Sequence, residues 1–110
     1  MISLLCLIAA IEFVPADTNL RFTLENAPTA EKHMLETMPG GMAVFDYNND
    51  GKPDVFFANG AELPSRRKTS AKCHNRRFRT DGAWKFTDVT AEAGLAGEGY
   101  AMGATAGDFD

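Results

Sequence analysis

A chain of 110 residues with a formal net charge of −4 has room for one small domain. It lacks the basic surplus of a general nucleic-acid binder. Ten Gly and eight Phe, with few long apolar runs, favour short strands and turns over helices.

The apolar run from Ile2 to Ile11 is too short for a bilayer, which takes about 20 residues. With "FVPA" after it, the run has the form of a secretory signal peptide over residues 1–16, although no Lys or Arg precedes it. Val14 and Ala16 are the small residues before the expected cleavage point. The expectation is a secreted or extracytoplasmic protein without a transmembrane segment; the alternative is a buried first strand or helix. Cys6 then leaves with the leader, and Cys73 alone cannot make a disulfide framework within this segment.

Residues 17–40 form a lead-in segment. Asn19 to Asn26 alternates loosely, as a strand does, and Thr29 to Met38 is bounded by Pro28 and Pro39, so it supports one or two helical turns at most. "GGMAVFDY" and "DVFFANG" read as strands, and Ala61 to His74 as a polar surface loop. "NRRFRTDGAWKFTDVT" has the shape of a hairpin turning at "TDGA", followed by a Gly-rich connection, and "AMGATAGDFD" opens another strand.

The phrase "GMAVFDYN", from Gly41, returns as "GATAGDFD", from Gly103, with Asp108 standing 62 residues after Asp46. Strand-rich units repeated at such spacing mark propellers and related arrays, where roughly 40 to 50 residues make a four-stranded blade. The expected fold is therefore all-β, a partial β-propeller of about one blade plus the start of the next. The first repeat spans 41–102, and the second begins at 103–110.

Between the first two strands, Asp46, Asn48 and Asp50 occupy positions 1, 3 and 5 of a loop, with Gly51 at 6, the carbonyl of Lys52 at 7 and Asp54 at 9. Alternate residues on a tightly turning backbone converge on one point, and hard oxygens of this kind suit Ca²⁺, which accepts about 6 to 8 of them. Three carboxylates this close repel one another unless a cation lies between them. The first half matches an EF-hand loop, but Phe57 stands where an EF-hand needs a bidentate Glu, and strands rather than helices flank it. A metal-free Asn/Asp-Gly turn would need only "NDG". Mg²⁺, which keeps several waters, fits less well.

"GGMAVFDYNNDGKPDVFFANG", then "KFTDVTAEAGLAGEGYAMGATAGDFD", resembles the FG-GAP (VCBS-type) repeats of the ASPIC/UnbV, cartilage-acidic-protein-like family of secreted proteins, over Leu20 to Asp110. The resemblance implies a propeller like the integrin α-subunit head, with calcium at Asp46, Asn48, Asp50, the Lys52 carbonyl and Asp54. It implies a second site beginning at Asp108 and Asp110, without its Asp-Gly half. It also implies that this chain is the N-terminal portion of a longer protein ending in an ASPIC/UnbV module.

Other candidates are weaker. His33 and His74 have no ligand partners at metal spacing, and Cys73-His74 has no activating group beside it. "RRK" and "RRFR" read as solvated loop and strand, with anionic glycan as a conceivable contact, and Trp84 and Phe86 as sheet packing. "GLAGEG" does not follow a strand and open a helix as a phosphate loop does. No catalytic constellation is visible. The functional expectation is a calcium-stabilised adhesion or ligand-binding scaffold with an extracellular protein or glycan ligand. The alternative is the propeller of an extracellular polysaccharide-active enzyme whose chemistry lies elsewhere.

Overall fold

The computed structural model describes residues 10–107. Four strands, β1 (Gly41–Phe45), β2 (Asp54–Ala58), β3 (Arg76–Gly82) and β4 (Lys85–Asp88), form one antiparallel sheet in the order β1-β2-β3-β4. Each strand pairs with its sequence neighbour, so the sheet is a simple meander, the form of a propeller blade.

Register puts apolar side chains on both faces of the sheet. Val44 lies opposite Val55, which lies opposite Phe78, and Met42 lies opposite Phe57. These side chains share one face, while Ala43, opposite Phe56, lies on the other. Met42 and Val44 remain 58% and 54% exposed, so the blade does not cover this face by itself. A repeat unit that must stack on neighbours has this composition.

The lead-in crosses the first face instead of pairing along it. The Asn19 side chain exchanges two hydrogen bonds with the backbone of Phe86 on the outer strand, donating at 2.9 Å and accepting at 2.7 Å. Three residues later Phe22 stacks on Phe57 of β2, with ring centres 4.5 Å apart. Glu25 then reaches the end of β2, its N–H donating to Asn59 at 2.7 Å. A segment running across strands cannot make a ladder with them, so the strand expected over Asn19 to Asn26 does not form, despite its alternation.

Three further expectations change in detail. The helical composition of Thr29 to Met38 yields one turn of 3₁₀ helix, Met34–Thr37. The hairpin turns at Ala83 and Trp84, between the paired Gly82 and Lys85, rather than at "TDGA". The Gly-rich connection opens with a single α-helical turn, α1 (Thr90–Ala93).

Residues 101–107 contain no strand, but they return to the start of β1. Gly40 donates its N–H to the Ala101 carbonyl at 2.8 Å. Gly41 lies so near that a Cβ there would stand 2.7 Å from the Gly103 Cα. The second occurrence of the repeated phrase thus begins against the first, and only glycine permits that approach.

The leader falls mostly outside the described residues. In its described part, Ile11 and Phe13 are 89% and 95% exposed. Among the described residues no helix is long and apolar enough to cross a membrane.

Candidate metal centre

The loop between β1 and β2 is built on the Asp46 carboxylate. Its two oxygens accept the backbone N–H groups of Asp50 at 3.1 Å and Gly51 at 2.7 Å. The chain can turn back this sharply because Asn49 and Gly51 adopt left-handed φ angles of 57° and 80°. Asn48 donates its amide to Asp50 at 3.2 Å, and Asp50 accepts the N–H of Lys52 at 2.8 Å. Asp46, Asn48 and Asp50 are therefore drawn together at an exposed turn, with Lys52 following directly.

Asp54 has a different setting. It is completely buried at the start of β2, accepting the Thr80 N–H at 2.9 Å on one oxygen and the Tyr47 N–H at 3.4 Å on the other. Arg77, itself 5% exposed, brings a guanidinium nitrogen to 3.8 Å from the second oxygen. The same guanidinium lies over the Tyr47 ring, 3.4 Å from its centre. Its Nε has no hydrogen-bond partner among the described residues.

The donor chemistry of Asp46, Asn48 and Asp50 fits a hard cation such as Ca²⁺, with oxygens from two carboxylates and one amide, and the Lys52 carbonyl as the expected backbone donor. Among the described residues no three His, Cys, Asp or Glu side chains gather into a metal-binding group. Asp54 faces Arg77 and Thr80. Asp108 and Asp110, the expected start of a second site, lie outside the described residues.

Several residues of the basic stretches are engaged within the fold. Arg76 pairs with Asp88 and Arg79 with Asp81, each at 3.1 Å, while Arg77 is buried between them in sequence. Lys68 turns inward onto three backbone carbonyls. Cys73 is fully buried, and burial pushes its thiol above the ordinary value, the opposite of what a reactive cysteine requires. The His74 carbonyl serves as an acceptor for Asn59.

Four structural residues escape the sequence reading: Asn59, Lys68, Arg77 and Thr90. Thr90 has the clearest signal, the Asp-x-Thr spacing of "FTDVT". The Asp88 carboxylate accepts the Thr90 N–H at 2.9 Å, and the Thr90 hydroxyl oxygen accepts the Arg77 N–H at 2.9 Å. This joins the exit of β4 to β3 and starts α1.

A four-stranded meander with apolar side chains on both faces and an acidic loop on its first hairpin defines a β-sheet repeat protein of the propeller class. The model of the FG-GAP-like repeat matches residues 46–110, more than half of the chain, and the chain belongs to that family. The match starts at Asp46, the first residue of the acidic loop, and takes in β2, β3 and β4. No curated protein and no solved structure matches the chain.

Proposed function

We propose that the chain is a repeat segment of a secreted, calcium-binding β-propeller of the ASPIC/UnbV, cartilage-acidic-protein-like type, acting as an adhesion or ligand-binding scaffold. Calcium is structural in this reading. Asp46, Asn48, Asp50 and the Lys52 carbonyl hold it, Asp54 closes the set, and Asp108 and Asp110 begin a second site of the same kind. The ion ties the turn between β1 and β2 and lets neighbouring carboxylates coexist. The chain supplies recognition surface and no catalytic group; the ligand is an extracellular protein or glycan.

The observation that supports this reading is the Asp46 carboxylate fixed by the N–H groups of Asp50 and Gly51, which pre-forms an oxygen-lined turn before any ion arrives. Thermal unfolding of the full chain in calcium and in chelator tests it. A ligand at 100 times its Kd stabilises by about 2.7 kcal/mol, which moves the Tm of a domain this size by roughly 10 °C or more. Asp46→Ala should remove that shift. Identical melting of the unsubstituted chain in both media would refute the calcium reading.

A further inference from the structure

We propose that Arg77 is a resident counter-cation for Asp54, holding the carboxylate when calcium is absent and releasing it to the loop when calcium binds. This rests on the calcium reading and accounts for the guanidinium 3.8 Å from a fully buried Asp54.

A fully buried carboxylate is costly without a compensating charge. Thr80 and Tyr47 supply N–H groups to Asp54, but among the described residues the one guanidinium against it is that of Arg77. The pair is loose. Its nitrogen-oxygen separation is 3.8 Å, whereas a committed guanidinium–carboxylate fork forms bonds of about 2.7–2.9 Å. Arg77 is positioned instead by the Tyr47 ring, 3.4 Å below the guanidinium carbon. Its Nε has no partner among the described residues, so the fork is unsaturated there.

Tyr47 sits between Asp46 and Asn48 in sequence and also donates its N–H to Asp54. One residue therefore carries the loop on its backbone, touches the carboxylate through its N–H and seats the guanidinium on its ring. Movement of the loop onto an ion would alter all three contacts together. Arg77 makes the blade less dependent on calcium in two ways. It neutralises Asp54 when the ion is absent, and its charge opposes the ion when it arrives.

The test uses the full chain in chelator and in calcium, comparing Arg77→Met and Arg77→Lys, with calcium affinity measured by titration calorimetry. Arg77→Met should lose more Tm in chelator than in calcium, so that the calcium-induced shift grows to about one and a half times its original size. Removing a positive charge from beside the loop should also tighten calcium binding by roughly tenfold. Arg77→Lys keeps the charge and should retain close to the original affinity. Should Arg77→Met fold in neither medium, Arg77→Gln keeps the polar head without charge and takes its place.

An equal Tm loss in both media, with unchanged calcium affinity, would overturn the proposal while leaving the calcium reading intact. So would an affinity for Arg77→Lys that changes as much as that for Arg77→Met. Absence of any calcium shift in the unsubstituted chain would overturn the calcium reading, and the role of Arg77 with it.

Discussion

The Lys68 ammonium lies 2.6 Å from the backbone carbonyl of Asn59, and at the same nitrogen it meets the carbonyls of Gly60 at 2.6 Å and Cys73 at 2.8 Å. One cation thus gathers the end of β2 and the loop before β3. Its backbone N–H extends the tie by donating to the Glu98 carbonyl at 2.8 Å. Burial pushes the Lys68 pKa below the ordinary lysine value, so the ammonium is held against a desolvation cost by these acceptors.

Lys68→Met keeps the stem and removes the charge, leaving three carbonyls without their donor. Hydrogen bonds to a charged group contribute about 1.5–3 kcal/mol, so the expected loss of stability is roughly 2–3 kcal/mol. Urea denaturation measures it, and an unchanged midpoint would mean that water replaces the ammonium at no cost.

Asn59 is the other half of this arrangement. Its amide is 1% exposed and uses both ends. The oxygen accepts from Glu25 at 2.7 Å and Gly60 at 3.0 Å, while the nitrogen faces the carbonyls of Thr23, Lys72 and His74 at 3.1 to 3.3 Å. Asn59→Asp is nearly isosteric but turns the donor into an acceptor opposite three carbonyls. Leaving buried polar groups unmatched in this way should cost about 3–5 kcal/mol, enough to unfold a marginal domain. Near-normal hydrogen-exchange protection of Glu25 and Gly60 in the variant would contradict this.

These two residues show where sequence reading stops. The four strands are legible because their alternation and bounding turns are local, and the loop is legible because Asp, Asn, Asp and Gly recur at fixed spacing. Asn59 and Lys68 act through partners far along the chain, and nothing in "FANG" or "RRK" announces that. Asn19 to Asn26 misleads for a related reason. Alternation says that one side of the segment is apolar, which Phe22 on Phe57 satisfies, but not that it lies parallel to a strand. Arg77 reads as one of a basic cluster until the register of β3 places it on the same face as Phe56, inside the blade.

The hairpin turn offers a stabilising change. Ala83 and Trp84 have φ angles of 49° and 60°, the left-handed pair that a two-residue turn of this type needs and that Asn-Gly adopts most readily. A residue with a Cβ is disfavoured there by about 1–2 kcal/mol, a cost that Asn lowers. Ala83→Asn should therefore raise stability by roughly 0.5–1 kcal/mol without disturbing the pairing of Gly82 with Lys85. A lowered Tm would show that the turn depends on Ala83 for something other than its backbone.

Acid should weaken the fold through three carboxylates held below their ordinary values. The Thr29 hydroxyl lowers Glu36 against the opposing effect of burial, and the Thr87 hydroxyl, with Arg79, lowers Asp81. At Asp88 burial pushes upward, but the Thr90 hydroxyl and N–H, together with Arg76, outweigh it. A carboxylate with a depressed pKa stabilises the fold fully above its unfolded value, and that contribution disappears as pH falls through the folded value. The ordinary values are 4.5 for Glu36 and 3.8 for Asp81 and Asp88, so the Tm should hold steady down to the first and decline below it. Thr87→Val removes the hydroxyl that Asp81 accepts while keeping the β-branched shape of a strand residue. The Asp81 carboxyl, followed by NMR, should then titrate at a higher pH, closer to its ordinary value. The stability gap between the variant and the unsubstituted chain should close as pH falls below the folded value. An unmoved Asp81 titration would show that Arg79, not Thr87, holds the carboxylate.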